Sequence, residues 1–231
     1  MKKLFVLIAA ACMTCTAAFA QTVKPFKEGE RAVFLGNSIT DGGHYHSYIW
    51  LYYMTRFPDM PIRVFNGGIG GDTAYDMNKR LDGDIFAMKP SVLMVTFGMN
   101  DSGYFEYNGD KPKEFGEQKY QESIKNYQQM EKRFKDLPDT RIVMVGTSPY
   151  DETVQLKENT PFKTKNETIK RLVEYQQESA AKNNWEFTDL NAPMTAINQQ
   201  YQQKDPTFTL CGSDRIHPDN DGHMVMAYLF L

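Results

Sequence analysis

The chain has 231 residues and a formal net charge of −3, with 24% charged and 41% hydrophobic residues. This composition argues against a nucleic-acid-binding protein, because the lysines are scattered along helical stretches as solvated faces and form no basic patch. The length suits one domain with a sizeable core.

The N-terminal segment, residues 1–20, is typical of a cleaved secretory signal. Two lysines precede an apolar stretch over residues 4–11, and an Ala-Phe-Ala cleavage site comes directly before Gln21. The apolar run is interrupted before it reaches the roughly 20 residues of a membrane-spanning helix. We therefore expect export to the periplasm or the medium and no integral membrane segment. A lipoprotein signal at Cys12 is a less favoured alternative.

Short apolar runs alternate with segments of helical spacing along the rest of the chain. We predict five buried strands, at 32–35, 62–65, 92–96, 142–145 and 185–188. We predict helices near 48–57, 74–81, 120–134, 168–181 and 192–201, and one from about 221 onward. This alternation predicts one α/β domain over residues 21–231, with a parallel sheet covered by helices on both faces. The apolar ending at Leu231 has no capping glycine, and it leaves open whether the natural chain continues.

The first candidate motif, Gly36-Asn37-Ser38-Ile39-Thr40, directly follows the first strand. A serine in such a strand-to-helix turn has an exposed Oγ and lies near the N–H groups of a helix N-terminus. Its hydroxyl is a poor nucleophile unless a base takes the proton, so the motif requires a histidine nearby. The pentapeptide alone is equally consistent with Ser38 as a helix cap.

A second motif, Asp214-Arg215-Ile216-His217-Pro218, supplies such a base near the end of the chain. Pro218 disfavours helical backbone at His217 and suits the first turn of a following helix. Asp214 and His217 then share one tight loop, in which the carboxylate can reach Nδ1 and leave Nε2 free for the serine proton. All four histidines lie near one of these two motifs, and only His217 has a carboxylate placed in this way.

Two further motifs, residues 66–73 after the second strand and 98–101 after the third, place hydrogen-bond donors at the same edge of the sheet. Ester hydrolysis develops negative charge on the carbonyl oxygen, and each preorganised donor is typically worth a few kcal/mol. The candidate donors are the N–H groups of Ser38 and Gly71 and the side-chain amide of Asn100. Taken singly, the glycines also suit a tight turn, and Asn100 also suits a turn or cap.

Together and in this order, Gly-Asn-Ser-Ile-Thr, Gly-Gly-Asp-Thr, Gly-Met-Asn-Asp and Asp-Arg-Ile-His-Pro resemble the four conserved blocks of the SGNH (GDSL-like) hydrolases, over residues 34–218. The resemblance implies a flavodoxin-like, three-layer α/β/α sandwich around a five-stranded parallel sheet, and neither a metal nor an organic cofactor. One departure is Asn37, where the family has aspartate. It puts in doubt the hydrogen bonding beneath the nucleophile turn and an assignment to the narrower lipase-like branches.

The resemblance also implies a role for each motif residue. Ser38 is the implied nucleophile and first oxyanion donor, and Gly71 and Asn100 are the other donors. Asp214 and His217 complete the implied triad, which agrees with the roles inferred from the residues themselves.

Other site types fit the sequence less well. The stretch 68–73 lacks the third glycine of the dinucleotide-binding fingerprint and follows the second strand instead of the first. A calcium loop at 219–222 would have His217 where the first acidic ligand belongs. A zinc site from Asp41, His44 and His46 fits by composition, although a two-histidine turn is more often an ordinary loop.

The loops at the predicted site are polar with interleaved aromatic residues, and none is apolar enough to form a lipase lid. His44, Tyr45 and Tyr104 are weak candidates for substrate contacts, and these tyrosines equally suit packing beneath the loops. We expect hydrolysis of a short acyl ester, acetyl on a carbohydrate above all, with a small molecule or oligosaccharide ester as substrate. The alternatives are a lipase, lysophospholipase or thioesterase of the same family, or a non-catalytic carbohydrate-binding module.

Overall fold

The computed structural model describes residues 21–231, so the predicted signal segment lies outside the described residues. A six-stranded sheet comprises β1 (Gln21–Thr22), β2 (Arg31–Gly36), β3 (Arg63–Gly68), β4 (Val92–Val95), β5 (Arg141–Gly146) and β6 (Glu186–Asp189). Every pairing is parallel, in the order β1-β6-β5-β4-β2-β3. The five longer strands have the flavodoxin-like order, so the predicted fold is confirmed. β1 was not predicted, because two residues are too short for a hydrophobic pattern.

Helices connect the strands in residues 21–231. The α-helices are α1 (Ser38–Asp41), α2 (His44–Arg56), α3 (Ala74–Arg80), α4 (Pro112–Lys135), α5 (Lys165–Asn183), α6 (Asn191–Gln202) and α7 (Asn220–Phe230). A π-helical turn at Leu81–Ile85 and 3₁₀ turns at Phe86–Met88 and Phe105–Asn108 complete the set. The predicted helices are present, but α2 and α4 begin earlier than predicted. In α4 the extra turns are mostly polar, and Pro112 at the first position was their only sequence signal.

The central strands β2, β4 and β5 are buried on both faces, and successive residues point to opposite sides of the sheet. Ala32 and Phe34 of β2 pack into a core with α2, α6 and α7. Val33 and Leu35 pack into a second core with α3 and α4. α5 contributes side chains to both cores. The result is a three-layer sandwich.

The carboxyl end of β2 is the switch point of the sheet, since β3 lies on one side of it and β4 on the other. The loops that follow β2, β3 and β4 therefore converge in one crevice, where ligands bind in open α/β sheets. Gly68 at the end of β3 permits the approach of α1, because a Cβ there would clash with the backbone of Asp41. Among residues 21–231, the helices are either too short or too polar to cross a membrane.

Candidate active site

Three side chains from distant parts of the sequence meet at this crevice. Oγ of Ser38 lies 2.7 Å from Nε2 of His217. Nδ1 of His217 lies 2.5 Å from Oδ2 of Asp214. The side chains of His217 and Asp214 are about half exposed, at 47% and 46%. The structure thus brings the three predicted residues together in the order that proton transfer from serine to imidazole requires.

The turn that carries Ser38 is held by Asn37, the residue at which the sequence departs from the family pattern. Asn37 is buried and is the N-cap of α1, and its Oδ1 accepts a hydrogen bond from the N–H of Ile39 at 3.1 Å. Ser38 is therefore the first residue of the helix, with its hydroxyl free of any capping role. A neutral amide satisfies the hydrogen bonding beneath this turn.

Asp214 is oriented by its own loop. Its Oδ1 accepts hydrogen bonds from the N–H groups of Ile216 and His217, both at 2.9 Å, while Oδ2 faces the imidazole. Burial tends to raise the pKa of Asp214, but these hydrogen bonds outweigh it and hold the pKa below its ordinary value. The same contact with Asp214 raises the pKa of His217, against a smaller effect of burial. With Nδ1–H directed at Asp214, Nε2 is the nitrogen that accepts the serine proton.

Two residues that the sequence analysis missed shape this loop. Gly212 has φ +70°, and a Cβ there would clash with the carbonyl oxygen of His217. Arg215 is buried, and its backbone has φ +71°. Its guanidinium donates to three carbonyl oxygens in the loop between β5 and α5, those of Asp151 at 3.1 Å, Val154 at 2.7 Å and Asn159 at 2.5 Å. These bonds hold an unfavourable backbone conformation in place. The sequence could have pointed to Gly212, because glycine is the usual residue at a positive φ. Nothing in the sequence marks Arg215, because an arginine in a polar loop is normally solvated.

The three predicted oxyanion donors lie in the loops after β2, β3 and β4, which converge in the crevice. Within residues 21–231, the N–H groups of Ser38 and Gly71 donate to no protein acceptor. The side-chain nitrogen of Asn100 donates to the carbonyl oxygen of Asp72 at 2.9 Å, and Oδ1 of Asn100 accepts from the hydroxyl of Tyr104 at 2.5 Å. A carboxamide nitrogen carries two N–H groups, so one remains for a ligand.

An ion pair fixes the loop that carries Gly71. Arg80 Nε lies 2.6 Å from Asp72 Oδ2, and both side chains are largely buried. The same guanidinium donates to the carbonyl oxygens of Gly67 at 2.8 Å and Gly36 at 3.3 Å. Burial raises the pKa of Asp72, and Arg80 opposes that shift. Arg80 therefore ties the ends of β2 and β3 to the donor loop. Sequence reasoning missed it, because an arginine in the last turn of a helix normally faces solvent.

A buried carboxylate fixes the loop that carries Asn100. Asp101 accepts hydrogen bonds from the N–H groups of Gly98 and Ala74, both at 2.9 Å, and from Oγ of Ser123 at 3.0 Å. Burial raises the pKa of Asp101, against these hydrogen bonds. Asp101 thus closes the turn after β4 and ties it to α3 and α4.

Sequence comparison decides the family. A model of the GDSL-like Lipase/Acylhydrolase family matches residues 34–225. The chain belongs to this family. It is 26% identical over 219 residues to an acetylxylan esterase of Geobacillus stearothermophilus, over 88% of this chain and 93% of the relative. Membership in this acylhydrolase family makes the chain a carboxylic ester hydrolase.

Two solved structures share this fold. The esterase is 85% identical to a gut microbial diltiazem-metabolizing enzyme, with a TM-score of 0.90 over 91% of this chain and 48% of the other. It therefore spans about half the length of that protein. The structure of the acetylxylan esterase Axe2 from Geobacillus stearothermophilus has a TM-score of 0.69 and 24% identity, over 89% of this chain and 94% of the other. That second likeness shows the fold alone.

The three residues predicted to contact substrate, His44, Tyr45 and Tyr104, have different environments in the structure. His44 is exposed and stacks on His223, with ring centroids 5.1 Å apart. Tyr45 is only 2% exposed, and its hydroxyl lies 3.0 Å from Thr40 Oγ1, so the prediction that it contacts substrate is wrong. It packs beneath the loop because its ring fills the core against Phe34. Tyr104 contacts Asn100 and belongs to the donor loop. The aromatic ring that this loop exposes is that of Phe105, at 80%.

Two of the hollows in residues 21–231 bear on the position of the site. One, about 620 Å³, lies at the amino ends of β5 and β6 around Trp185, remote from Ser38. A smaller one, about 360 Å³, is lined by His44, Pro218 and residues 219–221, next to His217 in the chain. No set of three or more His, Cys, Asp or Glu side chains in residues 21–231 is placed to hold a metal ion.

Proposed function

We propose that this esterase hydrolyses short-chain acyl esters, above all acetyl esters on carbohydrates, through an acyl-enzyme on Ser38. The observation that carries the proposal is the continuous contact from Ser38 through His217 to Asp214, at 2.7 and 2.5 Å. Serine becomes a nucleophile at neutral pH when a base oriented in this way takes its proton.

The proposed reaction has two steps. In the first, His217 Nε2 takes the proton of Ser38 as Oγ attacks the ester carbonyl, and the oxyanion accepts hydrogen bonds from Ser38 N–H, Gly71 N–H and Asn100 Nδ2. The intermediate then expels the alcohol, which receives the proton from His217. In the second, His217 takes a proton from water as its oxygen attacks the acyl group, and Ser38 recovers its proton when the acid leaves. Asp214 orients the imidazole and stabilises its charged form without taking the proton.

The polar surroundings of Ser38 support a carbohydrate ester over a lipid. The hollow next to His217 is lined by His44 and by Asp219, Asn220 and Asp221, whose oxygen and nitrogen atoms suit sugar hydroxyl groups. The acetylxylan esterase relative supports an acetyl group on a sugar. The diltiazem-metabolizing relative supports a small molecule as a second kind of substrate.

The test is hydrolysis of para-nitrophenyl acetate, butyrate and octanoate, followed by acetylated xylo-oligosaccharide and diltiazem. Ser38→Ala is compared with Ser47→Ala, whose hydroxyl donates to the carbonyl oxygen of Gly43 on a neighbouring turn. We expect a preference for acetate that Ser38→Ala abolishes and Ser47→Ala retains. A preference for octanoate would support the lipase or thioesterase alternative, and hydrolysis independent of Ser38 would contradict the proposed mechanism. Absence of any hydrolysis would support the binding-module alternative.

We also propose that residues 1–20 direct export of the esterase and are removed after Ala20. N-terminal sequencing of the exported protein tests this, and we expect Gln21 as the first residue. An uncleaved N-terminus would contradict it.

A further inference from the structure

Lys165, the first residue of α5, is a buried charge that the proposed mechanism does not use. Its side chain is fully buried. Nζ donates to the carbonyl oxygen of Met99 at 2.7 Å, to Oγ of Ser102 at 2.6 Å and to the carbonyl oxygen of Gly103 at 2.5 Å. All three protons of the ammonium group thus reach the loop that carries Asn100, and none reaches a carboxylate.

The burial of Lys165 is costly, and the loop offsets that cost. Burial lowers its pKa to about 7, against the nearby negative charges of Asp101 and Glu152. A buried charge is tolerated when its hydrogen-bonding capacity is filled, and here the loop fills it. The loop is consequently fixed on both sides of Asn100.

Tyr104 connects this lysine to the Asn100 side chain. Nζ of Lys165 lies 3.9 Å from the centroid of the Tyr104 ring, and the Tyr104 hydroxyl donates to Asn100 Oδ1 at 2.5 Å. On its other edge, the carboxamide donates to the carbonyl oxygen of Asp72. A flipped amide would place Oδ1 against that carbonyl oxygen, so the two contacts together permit one orientation.

We propose that Lys165 and Tyr104 are positioning residues that hold the Asn100 carboxamide in the orientation in which its remaining N–H faces the oxyanion. This inference rests on the proposed function, in which Asn100 is an oxyanion donor. A preorganised donor acts where charge develops in the transition state, so its misorientation lowers kcat more than it changes KM. The hydrogen bond that Oδ1 accepts also polarises the carboxamide, which strengthens its N–H as a donor.

The first experiment compares Tyr104→Phe and Lys165→Met with Tyr107→Phe on para-nitrophenyl acetate. Tyr107 is a matched control, because its hydroxyl bonds to Ser102 and Thr168 in the same region and does not touch Asn100. We expect Tyr104→Phe to lower kcat roughly five- to tenfold, the effect of one hydrogen bond, with KM within about twofold and an unchanged melting temperature. Tyr107→Phe should lower the melting temperature and leave kcat unchanged.

The second experiment repeats Tyr104→Phe in an Asn100→Ala background. A residue that acts through Asn100 has no further effect once Asn100 is gone, so we expect the loss of kcat to disappear there. The inference is overturned if the Tyr104→Phe loss is the same in both backgrounds, or if Tyr104→Phe keeps full kcat while Asn100→Ala does not. If Asn100→Ala itself keeps full rate, the proposed oxyanion role fails instead. Should Lys165→Met fail to fold, the Tyr104→Phe comparison decides alone.

Discussion

The acid–base half and the oxyanion-donor half of the candidate site are held in place by different kinds of contact. In the acid–base loop, residues 212–218, the contacts that orient His217 come from Asp214, three residues away, and both side chains are about half exposed. In the donor loops, residues 70–72 and 98–104, the orienting groups come from distant elements and are buried, as Arg80 and Lys165 show. The imidazole is therefore oriented within its own motif, although Arg215 anchors that loop to the carbonyl oxygens of Asp151, Val154 and Asn159, whereas the oxyanion donors rely on orienting groups from distant elements. Loss of an acid–base group should spare stability, and loss of a donor-loop anchor should not.

The largest expected effect lies in the acid–base half. Ser38→Ala and His217→Ala should each lower kcat by roughly 10⁴- to 10⁶-fold, because serine and base act as one unit. Both side chains are partly exposed, so the midpoint of thermal unfolding should stay within about 2 °C of wild type. Steady-state kinetics and thermal unfolding check this. A large loss of stability in either variant would contradict the expected difference in stability between loss of an acid–base group and loss of a donor-loop anchor.

Asn100→Ala tests the donor half. Loss of one oxyanion donor should lower kcat by roughly 10²- to 10³-fold with little change in KM. Substrate saturation curves for the variant and wild type give both constants. A variant that kept the full rate would show that the donors are only Ser38 N–H and Gly71 N–H, or lie elsewhere.

Arg80→Met should destabilise the fold as well as slow the enzyme. It leaves Asp72 buried without its ion pair, which should lower the free energy of unfolding by about 3 kcal/mol. Arg171→Met is the matched control, since its ion pair with Glu117 is about half exposed and should contribute little to stability. Urea unfolding of the three proteins measures the difference, and equal losses would contradict the account of the donor loop.

The smallest expected effect is a shift in pH dependence. Because Asp214 raises the pKa of His217, kcat/KM should rise with pH through a midpoint above the ordinary value of about 6.5, as His217 loses its proton. Asp214→Asn removes that contact and should move the midpoint to lower pH, besides lowering the rate. His44→Gln is the control and should leave the midpoint in place. An unmoved midpoint in Asp214→Asn would show that another group titrates.

The same contrast explains what the sequence could and could not predict. Hydrophobic runs predicted the five longer strands, most clearly β2, β4 and β5, because strands buried on both faces read as continuous apolar segments. The motifs pointed to Ser38, Asp214 and His217, because each lies in a turn with a local signal. Arg80 and Lys165 had none, since their sequence neighbourhoods are those of solvated helical residues. Tyr45 was misplaced for a related reason, because a tyrosine in a polar loop does not reveal that it packs beneath that loop.

The most direct test of the account is covalent labelling with a para-nitrophenyl phosphonate, whose phosphorus is attacked by an activated serine. We predict stoichiometric labelling of Ser38 with parallel loss of esterase activity, little labelling in His217→Ala, and unchanged labelling in Ser47→Ala. Label on another residue, or an active enzyme that stays unlabelled at Ser38, would contradict the assignment of Ser38 as nucleophile.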